Sequence, residues 1–177
     1  SEIDRKGAVN NLTAVRSPGS TLKPLIYATA LQRGFIKPNH VYQDKVFHQN
    51  GYTPTNFDGD WTGEVTLKDA LIRSLNIPAI ETLDMLGPEE FEKNLRSFFG
   101  KEIGHGKEAG LSLAAGGFYM SAENLADLYV ELADPGHEGK ISFLKDEITS
   151  ANSFLINQKT SSKILSLLSQ NGRLGRV

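Results

Sequence analysis

The chain has 177 residues, of which 39% are hydrophobic and 23% charged, and its formal net charge is −2 at pH 7. This length is enough for one domain with a hydrophobic core, and the small net charge gives no indication of a nucleic-acid partner. Because the chain contains no cysteine, disulfides, thiol nucleophiles and cysteine-ligated metals are excluded. No run of 18 apolar residues and no signal-peptide pattern occurs, so the sequence predicts no membrane span.

The first recognisable elements are a short extended or looped segment and a helix. Residues 8–15 carry isolated apolar side chains among polar ones, which is typical of a short strand or a loop. A helix is predicted over residues 21–33, because Pro18 and Gly19 form a turn before it and Gly34 is a suitable stop. The apolar face of this helix comprises Leu22, Leu25, Ile26 and Thr29.

Ser20 and Lys23 lie three residues apart at the start of this helix, so their side chains share one face. A serine hydroxyl is a weak nucleophile until a neighbouring base takes its proton. A lysine can act as that base only when neutral, which requires lowering its pKa from about 10.4 by roughly 3 units. Burial, a nearby cation and the positive end of the helix all act in that direction. The pair is therefore a candidate nucleophile and base.

The segment after this helix is predicted to be mostly loop. Residues 36–51 are loop-like with room for one short strand. Residues 51–61 are rich in turn residues and aromatic side chains. We expect Tyr52, Phe57 and Trp61 to anchor this loop to the body of the protein, or alternatively to line a cleft.

Caps and breakers predict five further helices. Thr66, with an acid three residues later, opens a helix over residues 67–73. Pro78 is the first residue of the next helix, so Ser74-Leu75-Asn76-Ile77 is a tight link that presents a hydroxyl and a carboxamide. The remaining helices cover Pro88–Phe99, residues 121–133 and residues 161–168, and the glycine-rich residues 101–117 are predicted to be a loop.

The other chemistry-bearing residues show weaker patterns. The four histidines are scattered without metal-ligand spacing, and none lies near Ser20 in the sequence, so we predict no metal site, no cofactor and no Ser-His-Asp triad. The Ser-x-x-Lys spacing recurs at Ser142 and Lys145, and Ser-x-Asn recurs at Ser150 and Ser169. These copies are predicted to have surface or packing roles.

Several segments, in one order along the chain, resemble class A, bifunctional penicillin-binding proteins. The segment Arg16-Ser17-Pro18-Gly19-Ser20-Thr21-Leu22-Lys23-Pro24 is similar to the active-serine motif of that family. The other similar segments are Tyr52-x-Pro54-x-Asn56-Phe57-Asp58, Gly63-x-Val65-Thr66-Leu67, Ala70-Leu71-x-x-Ser74-Leu75-Asn76-Ile77-Pro78-Ala79 and Leu111-Ser112-Leu113-Ala114-Ala115-Gly116-Gly117. The resemblance covers most of residues 7–135 and, within the family, is strongest to the 1C subgroup.

This resemblance implies an acyl-enzyme mechanism with named roles. Ser20 would attack the D-Ala-D-Ala carbonyl of a peptidoglycan stem peptide, or a β-lactam ring, and Lys23 would accept its proton. Ser74 would relay a proton to the leaving amine, and Asn76 would hydrogen-bond the substrate amide and Lys23. The backbone N–H of Ser20 would supply half of the oxyanion hole.

One motif of the family, Lys-Thr-Gly on a sheet strand, does not occur in the chain. Lys159-Thr160-Ser161 is a near match, but a helical pattern follows it. We therefore interpret residues 1–177 as a fragment of one transpeptidase domain that stops before this motif. The predicted fold class is α+β, of the penicillin-binding protein and serine β-lactamase type, present as an α-rich part without some of the sheet. The fragment itself is expected to be soluble and inactive.

For the parent protein, the resemblance implies a peptidoglycan D,D-transpeptidase at the periplasmic face of the cytoplasmic membrane. A membrane anchor absent from this chain would hold it there, and its partners would be stem peptides and β-lactams, with no nucleic acid. Two alternatives remain: a serine β-lactamase-like hydrolase, and a non-catalytic module of the same fold that binds β-lactams or wall peptides. The segments around Tyr52 and Ser74 favour the transpeptidase over the hydrolase.

Overall fold

A computed structural model of the chain describes residues 10–49, 51–99, 103, 108–135 and 156–170. Within these residues the chain forms six α-helices and two β-strands. The helices are α1 (Lys23–Gln32), α2 (Leu67–Ile72), α3 (Asn76–Leu86), α4 (Pro88–Phe99), α5 (Ala122–Ala133) and α6 (Gln158–Leu168). The strands are β1 (Val41–Asp44) and β2 (Gly63–Thr66). Helices therefore dominate, and a small sheet accompanies them, as the α-rich prediction requires.

Helix α1 forms the centre of the fold. Every residue from Leu22 to Ala30 is buried, and the helix contacts both α3 and α6. A helix that is apolar around its circumference has to be surrounded by other elements. The predicted single apolar face is therefore too narrow, because α1 is buried on all sides over most of its length.

The two strands pair antiparallel, with Val41 opposite Thr66 and Asp44 opposite Gly63. Alternate residues of β1 point inward, so Tyr42 and Asp44 are buried while their neighbours are exposed. The short strand expected within residues 36–51 is confirmed as β1. Strand β2 was not predicted, because its four residues, Gly-Glu-Val-Thr, include one inward-facing apolar side chain and give no alternating pattern.

Local capping signals set several of the predicted helix ends. Thr66 Oγ1 accepts a hydrogen bond from the Asp69 N–H at 3.1 Å and caps α2. Ser121 caps α5 through a capping box. Helix α4 has the predicted bounds, Pro88–Phe99. Each of these ends is decided by residues within one turn of it.

The predicted start of α3 at Pro78 is wrong. The helix begins two residues earlier, at Asn76, because Leu75 is extended and a side chain from a distant loop accepts the Asn76 N–H. Pro78 consequently lies inside the first turn, where proline is tolerated.

The predicted start of α6 at Ser161 is also wrong. The helix begins at Gln158, because Asn157 Oδ1 accepts a hydrogen bond from the Thr160 N–H at 2.9 Å. The segment Lys159-Thr160-Ser161 therefore lies in the first turn of a helix.

The remaining segments contain turns and two 3₁₀ helices. Gly19–Leu22 forms a 3₁₀ helix that continues directly into α1, so Ser20 lies one short turn before the α-helix predicted to begin there. Gly110–Ala115 forms the second, within the stretch predicted to be a loop. Residues 11–13 form a turn, in agreement with the loop interpretation of residues 8–15. No helix within the described ranges is long and apolar enough to cross a membrane.

Candidate active site

The 3₁₀ turn that carries Ser20 is held at both ends by hydrogen bonds. Thr21 Oγ1 donates to Pro18 O at 2.7 Å, and the Lys23 N–H donates to Ser20 O. Tyr129, from α5, donates its hydroxyl to Thr21 O at 2.9 Å. Ser20 itself is exposed. The turn is therefore fixed while its serine faces outward.

The same turn lies against the segment that follows the second 3₁₀ helix. Gly116 has a φ of +100°, and a Cβ added there would come within 2.6 Å of Ser17 Oγ and 2.8 Å of Gly19 Cα. Just before the turn, Arg16 and Met120 exchange backbone hydrogen bonds of 2.9 and 3.0 Å. The close approach requires glycine at position 116.

Lys23 is 1% exposed, and its amine lies beside the link between α2 and α3. The Nζ atom donates to Ser74 O at 2.6 Å and to Asn76 Oδ1 at 2.7 Å, and it lies 3.4 Å from Ser74 Oγ. A lysine rarely occupies the interior unless its amine has such partners. The structure thus brings together three of the residues that the sequence singled out, over separations of 51 and 53 positions.

Ser74 has an unusual backbone. Its φ is +56°, and it is the only non-glycine residue with a positive φ among the residues that the structure describes. The Ser74 N–H donates to Leu71 O and the Leu75 N–H to Ala70 O, so the chain leaves α2 through one tight turn. This turn directs both the carbonyl and the hydroxyl of Ser74 towards Lys23. A left-handed serine is strained, and such strain is found most often at functional sites.

A cavity of about 180 Å³ connects the serine turn to this link. Its lining comprises Ser20, Thr21, Lys23, Pro24, Leu71, Ser74, Tyr129 and Leu168. The cavity therefore places an exposed hydroxyl, a buried amine and a second hydroxyl on one surface. Such a set can accept, hold and pass on a proton.

The near match to Lys-Thr-Gly lies elsewhere. Lys159 and Thr160 line a different cavity, of about 490 Å³, with Gln32 and residues beyond α1. Ser161 is buried and donates its hydroxyl to Leu132 O. Ser169 is exposed at the end of α6 and donates its hydroxyl to Ser166 O at 3.0 Å, in agreement with the predicted surface role. The remaining repeats, at Ser142, Lys145 and Ser150, lie outside the described residues.

The prediction for the aromatic residues of the 51–61 loop is wrong in part. Phe57 is fully exposed and Trp61 is 44% exposed, so neither anchors the loop strongly. Tyr52 packs against the core, but on a cavity that does not include Ser20. Asn56, a buried polar residue, makes side-chain hydrogen bonds that fix this loop.

The described histidines make local contacts. The ring of His40 packs edge-on against the ring of Tyr42, with 4.5 Å between the ring centroids. The His48 Nδ1 atom lies 2.6 Å from Thr53 Oγ1. Within the described ranges, no three His, Asp or Glu side chains are grouped so that they could hold a metal ion.

Sequence reasoning did not single out Asp44 and gave no role to Asn56, although both are buried and lie next to this site. Asp44 Oδ1 and Oδ2 each lie 2.9 Å from Asn56 Nδ2, and Asn56 Oδ1 accepts the Asn76 N–H at 2.8 Å. The available signal was the alternation in β1, which points a carboxylate to the same side as the buried Tyr42.

Comparison with known proteins decides the family. The family model described as the penicillin binding protein transpeptidase domain matches residues 4–173, nearly the whole chain. The chain belongs to the penicillin-binding protein transpeptidase family.

Its relatives within this family come from distant bacteria. The chain is 37% identical over 144 residues to penicillin-binding protein 1C of Escherichia coli K12, which is 81% of this chain and 19% of that protein. It is 42% identical over 109 residues to penicillin-binding protein 1F of Bacillus subtilis, 61% of this chain and 15% of that protein. It is 34% identical over 139 residues to penicillin-binding protein 1A of Aquifex aeolicus, 75% of this chain and 18% of that protein.

These matches confirm the resemblance to class A penicillin-binding proteins, including the 1C subgroup. The chain spans less than a fifth of the length of these curated relatives.

Proposed function

We propose that this chain is part of a serine D,D-transpeptidase of peptidoglycan synthesis, in which Ser20 is the nucleophile and Lys23 its base. The observation that carries the proposal is the buried Lys23 amine, held between Ser74 and Asn76 on the cavity that also contains Ser20. Membership of the penicillin-binding protein transpeptidase family supports this reaction over other serine chemistry.

In the proposed acylation step, Ser20 Oγ attacks the carbonyl of the D-Ala-D-Ala bond and its proton passes to Lys23 Nζ. Ser74 Oγ then delivers its proton to the leaving D-alanine amine and takes the proton held by Lys23 Nζ, the peptide C–N bond breaks, and an ester to Ser20 remains. The amine of a second stem peptide attacks this ester, which releases Ser20 and forms the cross-link. A β-lactam follows the first half of this route, with opening of its ring.

The contacts of Lys23 are compatible with this role. Ser74 O and Asn76 Oδ1 are acceptors only, so each takes an N–H of the amine. A neutral amine can donate both of these bonds and still has a lone pair for a hydroxyl proton, and the hydroxyls of Ser20 and Ser74 line the same cavity as Lys23. Asn76 therefore orients the amine, and we propose that it also hydrogen-bonds the substrate amide.

Lys-Thr-Gly does not occur in the 177 residues. In the family, the strand that carries Lys-Thr-Gly supplies a second hydrogen-bond donor to the oxyanion. Loss of one such donor lowers the rate by roughly 10²–10³. We therefore propose that residues 1–177 are part of one domain of the penicillin-binding protein and serine β-lactamase fold. By itself, the 177-residue chain should react with β-lactams slowly or not at all. The active protein would work at the periplasmic face of the cytoplasmic membrane, on stem peptides.

The test uses a fluorescent penicillin and intact-mass measurement. It compares the 177-residue chain with a longer protein that carries this sequence together with a Lys-Thr-Gly strand. We expect one adduct on the longer protein, lost in Ser20→Ala and kept in the exposed control Ser169→Ala. Labelling that persists in Ser20→Ala would contradict the assignment, and fast release of hydrolysed penicillin would indicate a β-lactamase.

A further inference from the structure

A buried carboxylate lies at the end of a hydrogen-bond chain that leads to Lys23. Asp44 is fully buried at the last position of β1. Its Oδ1 and Oδ2 both lie 2.9 Å from Asn56 Nδ2, and Oδ2 also accepts the Thr62 N–H at 2.8 Å. Three hydrogen bonds therefore satisfy this carboxylate, and all of them hold the 56–62 loop.

Asn56 links this carboxylate to the start of α3. Its Nδ2 also donates to Asp60 O at 3.0 Å, while its Oδ1 accepts the backbone N–H of Asn76 at 2.8 Å. Asn76 Nδ2 in turn donates to Thr55 O at 2.6 Å, in the same loop, and its Oδ1 accepts from Lys23 Nζ. The loop thus holds both the backbone and the side chain of Asn76.

Two acceptors, the Asp44 carboxylate and Thr55 O, determine the orientation of the two amides along this chain. An ionised carboxylate only accepts, so Asn56 has to turn its NH₂ group towards Asp44 and its oxygen towards the Asn76 N–H. Thr55 O likewise only accepts, so Asn76 has to turn its NH₂ group towards the loop and its oxygen towards Lys23. The donors therefore run in one direction, from Lys23 through Asn76 and Asn56 to Asp44.

We propose that Asp44 and Asn56 are positioning residues, which fix the backbone N–H of Asn76 and the loop that holds its carboxamide, and through them the Lys23 amine. Their effect on acylation rests on the proposed function, whereas their effect on Lys23 does not. Positioning of catalytic groups by a supporting layer of hydrogen bonds is a general requirement of precise sites.

The first experiment uses Asp44→Asn, which keeps the shape and can keep an oxygen on the Thr62 N–H, but puts an NH₂ group against the Asn56 Nδ2 donor in place of Oδ1. The control is Asp58→Asn, which removes a carboxylate from an exposed residue of the same loop. The double variant Asp44→Asn with Asn56→Asp reverses the pair and restores an acceptor for the Asn76 N–H. The rescue is expected to be incomplete, because Asp60 O then loses its donor.

The readouts separate positioning from folding and from the proposed reaction. We expect Asp44→Asn to shift the NMR signals of the Lys23 amine and, in the longer protein, to lower penicillin acylation about tenfold and move its pH profile. The double variant should largely restore the Lys23 signals and the acylation of the unaltered protein. Asp58→Asn should change neither. If the unaltered protein is not acylated, the proposed function fails, while the Lys23 signals still test the positioning role.

A measurement on the unaltered chain covers the case in which Asp44→Asn does not fold. The Asn76 N–H is the first of α3 and would ordinarily have no partner within the helix. Bonded to Asn56 Oδ1, it should exchange with solvent as slowly as amides in the middle of α3. Rapid exchange there, or a folded Asp44→Asn protein with unchanged Lys23 signals and unchanged acylation, would overturn the proposal.

Discussion

Ser17 Oγ donates a hydrogen bond of 2.6 Å to Gly116 O, although 99 positions separate the two residues. The same hydroxyl oxygen accepts the Gly19 N–H at 3.2 Å. One side chain therefore joins the serine turn to a distant segment and also closes the turn locally. Because Ser20 follows within three residues, the position of its hydroxyl depends on how closely the two backbones approach.

We expect Gly116→Ala to destabilise the protein by more than a glycine-to-alanine change at an open position. Gly59→Ala is the matched control, since Gly59 also has a positive φ but has no neighbour within 4 Å of an added Cβ. The control should lose about 1 kcal/mol from backbone strain, and Gly116→Ala about 3 kcal/mol or more from strain with overpacking. Urea unfolding measures both, and equal losses would show that the approach at Gly116 is not tight.

Tyr27→Phe is expected to stabilise the protein. Tyr27 Oη is buried and has no hydrogen-bond partner within the part of the chain that the structure describes, and burial raises the pKa of its phenol well above the usual value. A buried donor without a partner costs about 1–3 kcal/mol, so its removal should raise the free energy of unfolding by about 1 kcal/mol.

Tyr42→Phe is the contrasting variant. Tyr42 Oη lies 2.9 Å from Thr82 Oγ1, which donates to Pro78 O, so Tyr42 is the donor of that bond. Loss of this bond should lower the free energy of unfolding by about 1 kcal/mol. Thermal unfolding of both variants gives the comparison, and a less stable Tyr27→Phe protein would reveal a partner such as a buried water.

Glu81→Gln is expected to stabilise the protein at neutral pH but not in acid. Burial raises the pKa of Glu81, Lys45 lowers it, and the nearby Asp44 raises it further. A raised carboxyl pKa means that the folded state holds its proton more tightly than the unfolded chain. Its contribution to stability is therefore complete below about pH 4.5 and is lost as pH rises through the folded pKa.

The glutamine variant lacks this loss, so the difference in melting temperature between variant and parent should grow from pH 4 to pH 7. Glu64→Gln, at an exposed residue of β2 away from any helix end, is the control and should show little change. A difference in melting temperature that stays constant from pH 4 to pH 7 would contradict the rise in the pKa of Glu81 caused by burial.

Ser74→Gly and Ser74→Ala separate the hydroxyl of Ser74 from its backbone. Both remove the proposed proton relay, but alanine keeps the strain of a φ of +56° whereas glycine relieves it. We expect the glycine variant to be more stable than the alanine variant by about 1 kcal/mol. Penicillin acylation of the longer protein should fall equally in the two, and a glycine variant as fast as the unaltered protein would exclude the relay.

The parts of the fold that the sequence predicted depend on neighbouring residues. Thr66, Ser121 and Pro88 set helix ends through residues within one turn, and the spacing of Ser20 and Lys23 indicated their shared face before any contact was known. The link at Ser74 and Asn76 was identified for the same reason, from its place between two helical patterns.

The parts that the sequence did not predict depend on distant partners. Strand β2 exists because β1 offers it a pairing edge, and α3 begins at Asn76 because Asn56 accepts its N–H from 20 positions away. The Asp44 carboxylate resembles any polar residue of a short strand until the fold encloses it. No local pattern carries that information.

The rotation about the helix axis from the serine to the lysine of Ser-x-x-Lys differs in this protein from the rotation in an α-helix. In an α-helix three residues advance by about 300°, but in a 3₁₀ helix they complete one turn, so residues i and i+3 eclipse one another. The Lys23 N–H donates to Ser20 O, which places the pair within such a turn. In ideal 3₁₀ geometry two such residues have no angular offset and are separated along the axis by a rise of about 6 Å. Rewinding this one turn to α-helical geometry would swing the hydroxyl about 60° away from the amine, without altering a single residue of the motif.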